Sequence, residues 1–190
     1  MADSYIFEVP LAPQSAYRPR LTDGSRTVST DPRYRKWRDT AGIWFSRWLK
    51  ANNYDLVMFM FGKKSDGTSY KTLRDVDGAP REENTVNKAT GRINLGALRG
   101  KLRDDFEGWV IDLEFVLERP EGNLKYSPVA SQTADLDNYT KGVVDMMFES
   151  DVFKFNGFDD RYVQSQRILK RYTHLNSDEK PHIKVAVRMM

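Results

Sequence analysis

Trp109-Val110-Ile111-Asp112-Leu113-Glu114-Phe115-Val116-Leu117 alternates with a period of two, setting Ile111, Leu113, Phe115 and Leu117 on one face and Asp112 and Glu114 on the other. Successive side chains of an extended chain point to opposite faces, so this stretch predicts a half-buried strand, closed by Arg119-Pro120. Outward from it, Tyr5-Ile6-Phe7-Glu8-Val9-Pro10 predicts a short strand that Pro10 and Pro13 end. Arg161 to Tyr172 and His182 to Met189 predict two more, the last alternating Ile183, Val185, Val187 and Met189 against Lys184, Ala186 and Arg188. The apolar run Leu56 to Phe61 also reads as a strand.

Two helices stand among these strands. Thr30-Asp31-Pro32 is a start signal, because Asp31 can accept from free backbone N–H groups and Pro32 suits the first helical position. The helix it opens runs to about Asn52 with Tyr34, Trp37, Ala41, Trp44, Phe45 and Trp48 on a buried face, and Arg33, Arg35, Lys36, Arg38, Arg47 and Lys50 elsewhere. Those cations either face phosphate or are simply solvated. The second helix follows Asp137 and carries Tyr139, Val143, Met146 and Met147 at helical spacing. Strands around two main helices predict an α+β domain with a mixed, largely antiparallel sheet. At 190 residues the chain fits one domain. Residues 62–107, polar and weakly periodic, read as an insertion within it, with a short helix over Leu95 to Leu102.

Composition removes several chemistries. No cysteine leaves no disulfide, thiolate zinc site or cysteine nucleophile, and His174 and His182 are the only imidazoles. A metal on this chain is held mainly by oxygen, which favours Mg²⁺, Mn²⁺ or Ca²⁺. No apolar run is long enough to cross a bilayer, and Met1-Ala2-Asp3-Ser4-Tyr5 has no signal-peptide character, so the expected place is inside the cell. A net charge of +3 is only mildly basic.

The chemistry concentrates in Ala134-Asp135-Leu136-Asp137-Asn138-Tyr139-Thr140-Lys141. If Asp135 to Asp137 is extended, both carboxylates project to one side and Leu136 to the other, an arrangement able to hold a divalent cation. Asp137 is also placed to cap the helix, and Asp137, Lys141 and Asp145 share a helical face. Lys141 then either balances the carboxylates and the charge developing on a phosphate, or makes an ordinary surface ion pair. A second acidic pair, Asp159-Asp160, follows the turn signal at Gly157. Each pair alone reads most simply as a solvated cap or turn, and a sheet edge beside the helix start is expected to bring them together.

Asp135-Leu136-Asp137-Asn138-x-x-Lys141 at a helix start, then a short helix, then Asn156-Gly157-x-Asp159-Asp160 before a strand, resembles the RusA family of Holliday-junction resolvases over residues 134–172. Ala134 departs from that pattern, in which proline is common at this place. The resemblance implies catalytic Asp135, Asp137, Asp160 and Lys141. It implies Mg²⁺, or Mn²⁺, held by Asp135, Asp137 and Asp160 with Asp159 as supporting neighbour. Asn138 and Lys170 are lesser candidates. It also implies a homodimer in the cytoplasm of a bacterial or phage-infected cell, cutting four-way junctions by paired nicks in recombination and repair. Arg18, Arg20, Arg33, Lys36 and Lys170 are the candidate DNA contacts. The competing reading is a branched-DNA or single-strand binding protein on the same fold that does not cleave.

Overall fold

A computed structural model describes residues 4–16, 31–61, 107–129 and 134–190, and the backbone of residues 20–21, 28–29, 71–73, 86–87, 92–93 and 100–102. Its centre is a four-stranded mixed sheet. β1 (Ser4–Val9) begins the chain, and the short strands β2 (Arg20–Leu21) and β3 (Val28–Ser29) pair with each other. Two helices follow, α1 (Pro32–Ala51) and α2 (Asp55–Met60). The short strands β4 (Lys71–Leu73), β5 (Val86–Asn87), β6 (Arg92–Ile93) and β7 (Gly100–Leu102) come next, pairing β4 with β7 and β5 with β6. β8 (Trp109–Leu117), α3 (Leu136–Phe148), α4 (Asp151–Phe155), β9 (Val163–Tyr172) and β10 (His182–Met189) complete the chain.

The sheet order is β1-β10-β8-β9, antiparallel except for the parallel pair β8 and β9. Its register places apolar residues in rows that cross the strands. Phe7, Val185, Leu113 and Ile168 form one row; Val9, Ile183, Phe115 and Lys170 form the next. The alternation read from the sequence therefore becomes one buried face, on which Val9, Ile111, Phe115, Val185 and Val187 are fully covered. Each such side chain contributes roughly 1.5–3 kcal/mol by leaving water. The opposite face carries the polar set, including Arg188, one guanidinium nitrogen of which donates to both Asp112 carboxylate oxygens at 2.9 and 3.0 Å.

Helices cover the apolar face. Asp31 caps α1, its side chain accepting from the Arg33 N–H at 2.7 Å, and Pro32 takes the first position as the sequence predicts. Tyr34, Ala41, Phe45 and Leu49 are buried, and Trp37, Trp44 and Trp48 are half-buried against them. Trp48 stacks on Phe7 at 4.7 Å, so the tryptophans serve packing. α1 meets α3 closely where Gly142 leaves room: a Cβ there would lie 3.2 Å from the Trp37 ring.

The apolar run Leu56 to Phe61 is helical, not extended: Asp55–Met60 is α2, with Leu56, Val57 and Met60 buried. Six apolar residues in a row carry no period that separates strand from buried helix, and packing under Trp109 decides. The Trp109 indole donates to the Met60 carbonyl at 2.9 Å and packs on Phe148, Phe158 and Tyr162. Of the helix expected at Leu95 to Leu102, residues 100–102 form strand β7, and residues 95–99 lie outside those described. β8, α3, α4 and β9 make a strand–helix–parallel strand unit, which fixes the ends of α3 relative to the sheet.

Candidate functional site

α3 begins at Leu136, two residues earlier than a cap at Asp137 requires. Asp135 is the N-cap residue, with extended backbone at φ −66° and ψ 153°, and Asp137 lies in the first turn. The period-two geometry expected for Asp135 to Asp137 is thus replaced by a helix mouth. Both carboxylates are exposed there, and the Asp135 side chain makes no capping hydrogen bond. The free N–H groups of a helix start and the helix dipole favour negative charge at this end, where two acidic side chains sit close together.

Neighbours lock the mouth from two sides. Lys170 projects from the helix-covered face of β9, in the row of Val9, Ile183 and Phe115, and its ammonium donates to the Ala134 carbonyl at 3.0 Å. The Ala16 N–H donates to the Asn138 carbonyl at 2.8 Å, and the Trp37 indole donates to the Ala12 carbonyl at 2.9 Å, so residues 12–16 are held alongside α3. Lys170 is therefore a half-buried tether of the site, a role that sequence position alone did not assign.

Lys141 lies one turn beyond Asp137, and its ammonium pairs with Asp145 at 3.2 Å. The surface ion pair, one of the two readings open for Lys141, is present. Asp145 also accepts from the Tyr34 hydroxyl at 2.8 Å, joining α1 to α3. Burial, together with that hydrogen bond to Asp145, raises the Tyr34 pKa far above the ordinary tyrosine value and keeps the phenol protonated.

The second acidic pair is elsewhere. Gly157 turns the chain at φ 68°, Phe158 is buried against Phe61, Trp109 and Phe153, and the Asp159 side chain accepts from the Arg161 N–H at 3.0 Å. Asp159 is thus the cap of a single 3-10 turn over Asp160–Tyr162, and Asp160 is exposed at that turn. The 13 residues of α3 span about 20 Å at ~1.5 Å per residue, and its far end packs by Phe148 on Trp109, beside this turn. Asp135 sits next to Lys170 at one end of β9, and Asp160 precedes Val163 at the other. The sheet edge therefore separates the acidic pairs within one chain, contrary to the expectation that it joins them. A helix that links two parallel strands must run back along them, so residues before and after it lie at opposite ends of those strands.

Among the described residues, no three Asp, Glu or His side chains converge on a point where they could hold one metal ion. Asp135 and Asp137 alone still suit Mg²⁺, which binds through one or two carboxylates and completes its octahedron with water and substrate phosphate. The imidazoles are engaged elsewhere: His182 Nδ1 lies 2.8 Å from the Lys180 carbonyl, and His174 stands beside Glu179. Arg33 and Lys36 are exposed on α1; Arg20 is in β2, where only the backbone is described, and Arg18 lies outside the described residues. The structure also contains a network absent from the sequence reading. The buried Arg171 guanidinium pairs with Glu114 and binds Glu179 at 2.7 and 2.8 Å, which holds the Glu179 carboxyl down to about 2. Its partners lie 57 and 8 residues away, a separation no local pattern encodes.

No family model matches this chain, and no curated protein matches it. Among the described residues, no helix is long and apolar enough to cross a membrane.

Proposed function

We propose that the chain is a Mg²⁺-dependent endonuclease of branched DNA on a fold of the RusA kind, with its centre at the mouth of α3. The observation that carries this reading is the pair of exposed carboxylates, Asp135 and Asp137, on a helix start anchored through Lys170 and residues 12–16. Asp135 and Asp137 would hold the cation, which when bound supplies activation of water and polarisation of the phosphodiester. Lys170 keeps Ala134, and so Asp135, in position, and Asp145 holds the Lys141 ammonium one turn from Asp137. Arg33 and Lys36 on exposed α1 are offered to phosphate, with affinity that falls steeply with salt. On this reading Asp160 reaches a centre only from a second copy, as a homodimer cutting both strands of a four-way junction permits.

The separation of the acidic pairs favours a second reading: a branched-DNA or single-strand binding protein on the same fold that does not cleave. A labelled immobile four-way junction and a matched linear duplex, each with Mg²⁺ and with EDTA, decide between them. Paired, metal-dependent nicks in the junction, absent for Asp137→Asn, support the nuclease. Tight junction binding with no nicks supports the second reading.

A further inference from the structure

Asp145 is a carboxylate drawn mostly out of water, its side chain 18% exposed, and a charge so placed needs partners. It has one on each oxygen. Oδ2 accepts from the Tyr34 hydroxyl at 2.8 Å, and Oδ1 accepts from the Lys141 ammonium at 3.2 Å. The first partner is a neutral donor on α1; the second is the cation one turn beyond Asp137 on α3.

Tyr34 is fixed independently of this bond. It lies in the first turn of α1, which Asp31 caps and Pro32 opens, and it is 4% exposed. Its ring stacks on Trp37, with centroids 6.4 Å apart and planes 15° apart, and a Cβ on Gly142 would lie 3.5 Å from Tyr34 Cε2. The glycine therefore lets the ring lie against α3, with its hydroxyl on the carboxylate three residues further along. Burial and the bond to Asp145 keep the phenol protonated, so it stays a donor at neutral pH.

Lys141 has no such support of its own. Its side chain is 64% exposed, and a lysine four residues before its acidic partner is the weaker orientation of a helical pair. Two mobile, exposed side chains gain little from pairing, because both lose rotamer freedom in doing so. Here Tyr34 has already ordered Asp145, so only the lysine is left to be ordered. A hydrogen bond that joined α1 to α3 for packing alone would end at the carboxylate, whereas this one continues to an ammonium.

We propose that Tyr34 is a positioning residue of the α3 mouth, acting through Asp145 to fix the Lys141 ammonium one turn from Asp137. This rests on the nuclease reading for what Lys141 does there, but not for what holds it. Tyr34→Phe keeps the ring and its stack on Trp37 and leaves Asp145 Oδ2 without its donor, so the carboxylate turns toward water and the ammonium is released with it.

Two readouts on the full chain test this. The first is the ¹H–¹⁵N NMR signal of the Lys141 ammonium, identified by its loss in Lys141→Arg. Exchange of its protons with water should quicken severalfold in Tyr34→Phe, and likewise in Asp145→Asn. The second is junction nicking with Mg²⁺, in which Tyr34→Phe should lose about tenfold in kcat with KM unchanged, and Tyr34→Phe with Asp145→Asn should lose far less than the product of the two single losses. Ala41→Gly, a change at a fully buried position of the same helix, lowers the melting midpoint while leaving the hydroxyl in place, and should move neither readout. A Lys141 signal unchanged in Tyr34→Phe overturns the proposal, as does a kcat loss that Ala41→Gly reproduces. If the wild type does not nick, the nuclease reading fails and the ammonium signal alone decides whether Tyr34 fixes Lys141. If it nicks and Tyr34→Phe nicks with the same kcat, the proposal fails and the nuclease stands.

Discussion

At the scale of single residues, position decides what a charge does. Asp137 is exposed in the first turn of α3, so on the proposed reading Asp137→Asn removes one of the two carboxylates offered to the cation without opening the core. Metal-dependent nicking of a junction should then fall on the order of a hundredfold or more. Lys170→Met keeps the aliphatic stem but loses the bond to the Ala134 carbonyl. The expected cost is about 1–2 kcal/mol by denaturant unfolding, together with a loss of activity if the mouth of α3 is the centre. Glu179 offers a pH signature. Its folded pKa of about 2 lies below the ordinary carboxylate value because Arg171 binds the charged form. The stabilisation is therefore complete above about pH 5 and is lost as pH falls through about 2, below which the carboxyl is protonated in both states. Glu179→Gln should lower stability by about 1–3 kcal/mol at pH 7, and the difference from wild type should shrink as pH falls from 5 and be gone below about pH 2.

At the scale of elements, α1 and α3 are coupled by a close approach and a partly buried hydrogen bond. Gly142→Val would drive side-chain atoms into the Trp37 ring, which a Cβ alone already approaches to 3.2 Å, and splay the helices. A loss of about 1–3 kcal/mol is expected, read from the urea midpoint, with near-UV circular dichroism reporting the displaced Trp37. Both helices were legible in the sequence because their apolar residues recur every three to four positions and Asp31-Pro32 marks a start. β8 and β10 were legible for the same reason at period two, whereas the short pairs β2–β3, β4–β7 and β5–β6 carry no such period. α2 was not, since the unbroken run Leu56 to Phe61 holds no period, and the tertiary contact through Trp109 selected its helix.

At the scale of the whole molecule, the distance of about 20 Å along α3 turns a question of ligands into one of stoichiometry. If Asp160 serves the centre at the partner's Asp135 and Asp137, Asp137→Asn and Asp160→Asn are each inactive alone. Mixing the two inactive proteins should then regenerate junction nicking in heterodimers, each with one complete centre. Two inactive variants whose mixture stays inactive would falsify a shared centre. An active Asp160→Asn assigns Asp160 to its turn and leaves the centre to Asp135 and Asp137.

The sequence by itself determined the α+β class, the polarity of each strand face, the start of α1 and the presence of two carboxylates at the opening of α3, because these depend on near neighbours. Only the tertiary structure decided that β9 lies parallel to β8, that α3 therefore holds its acidic start and the Asp159–Asp160 turn at opposite ends, and that Lys170 lies beneath the first pair. Local spacing orients a side chain about its own element. How far apart two elements carry their residues follows from strand direction and helix length, which the packed core sets as a whole.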